Sequence, residues 1–127
     1  MAKILIIDDR PDVARAIARM LSSYDTVTET DPRRAIDRVV KRGERFDIVL
    51  IDFDMPEMTG RTVSDALANA RLAYPPIVFV MSGGENVSSL YATGRAVLIK
   101  PFKGVELRAL VAAILHESDA APHHPRA

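Results

Sequence analysis

The 127-residue sequence contains no cysteine. That absence excludes disulfides, thiolate metal sites and cysteine nucleophiles, and it fits a reducing compartment, so we expect a cytoplasmic location. The opening segment also lacks a long hydrophobic run. Only four consecutive apolar residues, Ile4 to Ile7, stand before Asp8 and Asp9, too few for a signal-peptide core or a membrane span. We therefore expect no membrane association.

Neither sign of charge is in excess, because Lys plus Arg and Asp plus Glu both number 17. A net charge of zero does not favour polyanions, so direct binding of DNA or RNA is not expected. The composition, 48% hydrophobic and 27% charged, is that of an ordinary globular domain. We expect one domain over residues 1–118 and a disordered tail over residues 119–127, where no periodicity appears.

Short apolar runs alternate with helical patterns along the chain, which is typical of βα units around a mainly parallel sheet. The Val, Ile and Leu content of the third and fourth runs predicts strands buried on both faces, whereas the weaker second run suits a sheet edge. Five strands are predicted: Ile4 to Ile7, Thr26 to Thr28, Ile48 to Ile51, Ile77 to Met81 and Ala96 to Ile99.

Apolar stripes at helical spacing lie between these runs and predict the helices. Pro11 suits the opening turn of the first helix, while Asp31 with Pro32 suits the start of the second and Gly43 its left-handed end. Between residues 84 and 94 the only large apolar residues are Val87, Leu90 and Tyr91, so a helix there must be short or irregular. The stripes are Val13, Ile17, Met20 and Leu21; Ala35, Ile36, Val39 and Val40; Val63, Ala66, Leu67 and Ala70; and Leu107, Leu110, Val111, Ile114 and Leu115.

Basic residues cluster on the predicted second helix, close to the acids Asp37 and Glu44. Such mixed charges usually form a solvated helix face, and that is the interpretation we adopt. The basic residues are Arg33, Arg34, Arg38, Lys41 and Arg42.

Carboxylates stand at the ends of the predicted strands. Asp8 and Asp9 follow the first strand and Asp52 ends the third, and the carboxyl ends of parallel strands form the edge at which ligands bind. Three converging carboxylates would repel one another without a hard cation between them, and oxygen-only ligands suit Mg²⁺. The sequence therefore predicts a magnesium site at this edge.

A hydroxyl and an ammonium group face the same edge, because Ser82 ends the fourth strand and Lys100 follows the fifth. An aspartate carboxylate can be phosphorylated, and Mg²⁺, a lysine and a hydroxyl donor can neutralise the charge on the transferring group. The residues thus favour phosphoryl chemistry at Asp52.

Five short motifs follow one another in order along the chain: Asp8-Asp9, Asp52-Phe53-Asp54-Met55-Pro56, Gly60, Ser82-Gly83 and Lys100-Pro101-Phe102. In these motifs, over residues 2 to about 117, the sequence resembles response-regulator receiver domains of two-component signalling, including the chemotaxis type. The resemblance implies an α/β, flavodoxin-like, doubly wound (βα)5 fold with a five-stranded parallel sheet in the order 2-1-3-4-5.

The resemblance also implies roles for these residues. Asp52 would accept the phosphoryl group from a histidine kinase or phosphotransfer protein, and Lys100 and Ser82 would contact the phosphoryl oxygens. Asp9 would bind Mg²⁺ directly, Asp8 mostly through water, and Asp54 through its backbone carbonyl. The Lys100-Pro101 peptide would be cis.

Such a protein would catalyse only its own phosphorylation and dephosphorylation, and it would signal through altered contacts with a downstream protein. We expect a monomer or weak dimer that acts as a single domain or derives from a larger chain.

Three features depart from the family pattern. Val97 stands where many receivers have an aromatic residue that follows the switch. The stretch from Ser82 to Lys100 is short, as around the fourth helix of some receivers attached to hybrid histidine kinases. An acid, Asp54, stands two residues after the phosphoacceptor, where it could orient a water or strengthen Mg²⁺ binding; we favour the second effect.

Two other functions remain open from the sequence. One is a receiver-like binding module that works without phosphorylation, which would bind its partner equally well as Asp52→Asn. The other is a phosphatase of the haloacid dehalogenase type, suggested by the spacing of Asp52 and Asp54. Sustained turnover of a phosphate monoester would favour the phosphatase, and stoichiometric self-labelling would favour the receiver.

Overall fold

Strands and helices alternate along the part of the chain that the structure, a computed structural model, describes: residues 1–83 and 96–120. The strands form a five-stranded parallel sheet in the order β2-β1-β3-β4-β5, which confirms the expected flavodoxin-like fold. The strands are β1 (Lys3–Ile7), β2 (Asp25–Glu29), β3 (Ile48–Asp52), β4 (Ile77–Ser82) and β5 (Ala96–Ile99), and the described helices are α1 (Pro11–Met20), α2 (Pro32–Val40), α3 (Gly60–Asn69) and α4 (Gly104–Ala120). The short helix predicted between residues 84 and 94 lies outside the described residues.

The sheet buries its central strands and exposes its edge, as the sequence predicts. All five residues of β3 are buried, and β2 lies at one edge with a partly exposed pattern. The fourth strand differs from expectation, because Ile77 and Val78 are only partly buried and burial is complete from Phe79 onward. The reason is a groove below the end of α3, which reaches both residues.

Two apolar layers cover the two faces of the sheet. Successive side chains of a strand point to opposite faces, so Ile4 and Ile6 join the layer that contains Leu107 of α4. Leu5 and Ile7 join the other layer, with residues of α2 and α3. Each of these four strand side chains has no solvent exposure, and burying a side chain of this size contributes about 1.5 to 3 kcal/mol.

The helix ends follow the predicted signals. The Asp31 carboxylate accepts a hydrogen bond of 2.9 Å from the Arg33 backbone N–H and caps α2, which Pro32 opens. Gly43 has a φ of 66°, the left-handed conformation that glycine adopts without strain. The last helix continues to Ala120, past the boundary expected at residue 118, and residues 121–127 lie outside the described part. None of the helices described is long and apolar enough to cross a membrane.

One basic residue of α2 does not belong to a solvated face. Arg38 donates to Glu29 at 3.0 Å and to Glu44 at 3.0 Å, and its side chain is only 24% exposed. The solvated interpretation is therefore wrong for Arg38, because acids from β2 and from the loop after α2 converge on its guanidinium.

Candidate functional site

The five side chains predicted for the site lie at one edge of the sheet. Asp52 and Ser82 are the last residues of β3 and β4, and Lys100 directly follows β5. Asp8 and Asp9 follow β1. Because all five strands are parallel, these carboxyl ends meet at the same edge.

Lys100 is paired with Asp52. Its Nζ lies 2.6 Å from Oδ1 of Asp52, and the Asp52 side chain is only 4% exposed. The ion pair places a positive charge directly beside a buried carboxylate. Two residues that are 48 positions apart in sequence thus form a polar centre at the sheet edge.

Asp8, Asp9 and Asp52 form a compact carboxylate cluster. One oxygen from each lies within 4.8 Å of the others, with Asp8 and Asp52 buried and Asp9 partly exposed. Burial raises the pKa of Asp8, and the negative charges of Asp52 and Asp9 raise it further, against the lowering effects of the Arg10 amide and Lys100. The cluster holds more negative charge than the single ammonium of Lys100 can balance.

The donor set suits a hard divalent cation. Oδ1 of Asp8 accepts from the Arg10 backbone N–H at 3.0 Å, but its other oxygen, Oδ2, is buried and has no hydrogen-bond partner in the described part of the chain. A buried carboxylate oxygen without a partner is costly. Carboxylate oxygens are the ligands that Mg²⁺ prefers, so the residues fit a magnesium ion.

Backbone hydrogen bonds fix the loops that carry these side chains. The Phe53 N–H donates to the Met81 carbonyl at 2.8 Å, and the Lys100 N–H donates to the Ser82 carbonyl at 2.7 Å. The sheet ladder thus continues one residue beyond the ends of β3 and β5. Ser82 itself is 1% exposed, so its hydroxyl lies inside the edge and not on the surface. The Lys100-Pro101 peptide is cis, as expected.

Asp54 differs from Asp8 and Asp52 in its exposure to solvent. Its side chain is exposed, whereas Met55, one residue later, is buried in the layer between the sheet and α2 and α3. The roles expected for this residue remain predictions.

A small cleft of about 260 Å³ opens beside the cluster, and the sequence reasoning missed two of its residues. Thr30 and Glu57 line it together with Asp9. The signal for Thr30 was available, since it directly follows β2 and so reaches the same edge as Asp8. Glu57 could be found only from the path of the loop after β3.

Comparison with known proteins agrees with this geometry. The family model described as "Response regulator receiver domain" matches residues 4–112. The alkaline phosphatase synthesis transcriptional regulatory protein PhoP of Bacillus subtilis is 28% identical over 94% of this chain, and the chain spans only 50% of that relative's length.

Solved structures show the same fold. The chemotaxis protein CheY4 of Vibrio cholerae is 25% identical, with a TM-score of 0.74 over 90% of this chain and 98% of its own. The response regulator TrrA of Thermotoga maritima, in complex with Mg(2+)-BeF, is 20% identical, with a TM-score of 0.78 over 90% of this chain and 99% of its own.

The family match decides between two of the functions that the sequence leaves open. The match covers most of the chain, and in the structure Asp52 ends the third strand, which is the central strand of the sheet. The haloacid dehalogenase interpretation, which needs this motif on the first strand, therefore loses its basis. The chain belongs to the family of response regulator receiver domains.

Proposed function

We propose that Asp52 accepts a phosphoryl group from the phosphohistidine of a histidine kinase or phosphotransfer protein in a Mg²⁺-dependent reaction. The observation that carries the proposal is the pairing of Lys100 with a buried Asp52 at 2.6 Å, inside a carboxylate cluster. An ordinary surface aspartate has neither the burial nor the fixed ammonium group. Both features suit a carboxylate that receives a highly charged group.

In the proposed reaction a carboxylate oxygen of Asp52 attacks phosphorus. An O–P bond forms as the P–N bond to the donor histidine breaks, and the leaving imidazole takes up a proton from solvent. Lys100 neutralises charge on the phosphoryl oxygens, and the Ser82 hydroxyl donates a hydrogen bond to one of them. Phosphorylation would then shift the population toward a conformation in which Ser82 and Lys100 close on the new charge.

Asp9, Asp8 and Asp52 would hold the magnesium ion, with the backbone carbonyl of Asp54 as a further ligand. When bound, Mg²⁺ would neutralise charge on the phosphoryl group and on the carboxylates. The buried Oδ2 of Asp8, which has no hydrogen-bond partner among residues 1–83 and 96–120, supports this role. The Mg(2+)-BeF complex named for the similar TrrA protein supports it too.

The output is proposed to pass through contact with a downstream protein in the cytoplasm. The net charge of zero supports protein partners over nucleic acid for this segment. Relatives named as transcriptional regulators are about twice as long as the matched region, so their whole activity is not assigned to this chain. Val97 is partly exposed on β5 and cannot supply the aromatic switch expected in many receivers.

Intact-mass measurement after incubation with acetyl phosphate tests the proposal, with and without Mg²⁺. The native chain should gain one phosphoryl adduct only with Mg²⁺, and Asp52→Asn should gain none. Asp54→Asn is the matched control, because it removes an exposed carboxylate two residues away and should still be labelled.

Absence of an adduct on the native chain under every condition would refute phosphorylation. The better function would then be the binding module that works without phosphate. A direct comparison of partner binding by the native chain and Asp52→Asn would test that function.

A further inference from the structure

Gly60 brings the start of α3 against the backbone of the candidate phosphoacceptor. It is the first residue of the helix, after the N-cap Thr59, whose side chain accepts from the Thr62 N–H. The Gly60 N–H donates to the Phe53 carbonyl at 3.0 Å. The first turn of α3 therefore packs against the peptide groups that directly follow Asp52 in the chain.

No side chain fits at this contact. A Cβ added to Gly60 would lie 2.6 Å from the carbonyl oxygen of Asp52 and 2.7 Å from the Cα of Phe53. Both distances are well below van der Waals contact, and both obstacles are backbone atoms that cannot rotate away. Any other residue at position 60 would have to push α3 outward or displace the peptide group after Asp52.

The peptide group has little freedom to absorb such a displacement. On one side the Phe53 N–H is bonded to the Met81 carbonyl of β4 at 2.8 Å. On the other side the Asp52 carboxylate is buried and lies 2.6 Å from Nζ of Lys100. A shift of the backbone would therefore reach the carboxylate and its ion pair, and a misplacement of about 1 Å in a reacting group can cost about 100-fold in rate.

We propose that Gly60 is a positioning residue for phosphoryl transfer: its missing side chain lets α3 rest on the Asp52 peptide and hold the phosphoacceptor in place. The inference rests on the proposed function of Asp52. It adds a residue that touches neither the phosphoryl group nor the metal and acts only through the backbone of Asp52 and Phe53.

Gly104 provides a matched comparison within the same chain. It opens α4 as Gly60 opens α3, so Gly→Ala changes helix propensity at the same helical position in both. A Cβ at Gly104 would lie 2.9 Å from an Arg108 guanidinium nitrogen and 3.3 Å from Cγ of Met20. These are mobile parts of long side chains, so Gly104→Ala can be accommodated.

The experiment compares Mg²⁺-dependent labelling rates by acetyl phosphate for the native chain, Gly60→Ala, Gly104→Ala and Leu67→Val. The last variant controls for lost stability, because Leu67 is a buried residue of the same helix. At saturating Mg²⁺ and at a temperature where unfolding curves show every variant folded, Gly60→Ala should be labelled at least about tenfold more slowly. The two controls should stay within about twofold of the native rate. A native rate for Gly60→Ala, or an equal loss in Leu67→Val, would overturn the proposal.

Backbone NMR separates this inference from the proposed function. If the native chain is not phosphorylated at all, the proposed function fails, but the contact of Gly60 can still be tested on unphosphorylated protein. The backbone resonances of Asp52 and Phe53 should differ between Gly60→Ala and the native chain, and unchanged resonances would overturn the inference. If Gly60→Ala does not fold, the native chain is used. The Gly60 amide and Phe53 carbonyl resonances of the native chain should both shift when Asp52 is phosphorylated. An unchanged Gly60 amide resonance would refute a link between Gly60 and the backbone of the phosphoacceptor.

Discussion

Nζ of Lys100 lies 2.6 Å from Oδ1 of Asp52, and the two side chains are 30% and 4% exposed. The lysine is therefore the partly solvated member of a pair whose carboxylate is almost completely buried. Its charge offsets only part of the negative charge of Asp8, Asp9 and Asp52. Lys100 should therefore affect two properties of the site differently: the reactivity of Asp52 toward a phosphoryl donor, and the affinity of the carboxylate cluster for cations.

Lys100→Gln should change those properties in opposite directions. We expect the labelling rate by acetyl phosphate to fall about 100-fold, since a charge-stabilising donor is lost. Mg²⁺ affinity should rise about fivefold, because a positive charge near the cluster is removed. Intact mass and isothermal titration calorimetry measure the two effects, and the exposed Lys103→Gln is the control. A fall in both quantities would show that Lys100 acts only through the integrity of the fold.

Asp8→Asn should stabilise the protein in the absence of Mg²⁺. Burial and neighbouring carboxylates raise the pKa of Asp8, so the folded state holds the proton more tightly than the unfolded state. The proton on Asp8 therefore adds to the free energy of unfolding at low pH, and this contribution is lost as the pH rises through the folded-state pKa of Asp8. At neutral pH the variant should gain about 1 kcal/mol in free energy of unfolding.

Urea unfolding at several pH values measures this gain. The difference between Asp8→Asn and the native chain should shrink toward pH 3.8, the ordinary value for an aspartate. Added Mg²⁺ should stabilise the native chain more than the variant. A variant less stable than the native chain at neutral pH without Mg²⁺ would contradict the inference that the buried Asp8 carboxylate destabilises the fold.

Local signals in the sequence were sufficient to predict most of the fold. The cap of Asp31 and Pro32 located the start of α2, and the left-handed Gly43 located the turn beyond it, because both depend on neighbouring residues only. The edge of the sheet that carries the candidate site could be predicted as well. Once the strands were known to be parallel, the residues at their carboxyl ends had to meet.

Contacts between distant segments could not be predicted in this way. The convergence of Glu29 and Glu44 on Arg38 depends on how β2 packs beside α2, and a charged helix face gives no sign of it. The partial exposure of Ile77 and Val78 has the same origin, since it depends on where α3 ends relative to β4. The close approach of Gly60 to Asp52 also appears only when the loop between them is folded.

Arg38→Met should destabilise the fold. The hydrogen bonds with Glu29, and then with Glu44, raise the pKa of Arg38, so the side chain is charged at every ordinary pH. Removing it leaves two partly buried carboxylates without this cation. The expected loss is about 2 kcal/mol, less than for a fully buried pair because the guanidinium is 24% exposed.

Arg34→Met is the control for Arg38, and chemical denaturation measures both. Arg34 lies 3.8 Å from Asp31, and its side chain is 76% exposed, so its loss should cost less than about 0.5 kcal/mol. Equal effects of the two substitutions would show that the contacts of Arg38 contribute no more than a surface ion pair.

Asp54→Asn tests whether the exposed acid beside the phosphoacceptor strengthens Mg²⁺ binding. Because its side chain is exposed, its effect on the cluster should act through solvent. At low salt we expect Mg²⁺ affinity to fall about twofold to threefold, and at 0.15 M salt, where the screening length is about 8 Å, the effect should diminish. Calorimetry at two salt concentrations measures this change.

Glu57→Gln is the matched control for Asp54, since it removes another exposed acid from the same loop. A comparable fall in affinity would mean that the loop attracts Mg²⁺ by its total charge and not by the position of Asp54. The lifetime of the phosphorylated chain, followed by intact mass, should be the same for Asp54→Asn and the native chain if the acid does not orient a water. Unchanged Mg²⁺ affinity together with an unchanged lifetime would exclude both roles, because the carboxylate would then neither attract the cation nor assist hydrolysis.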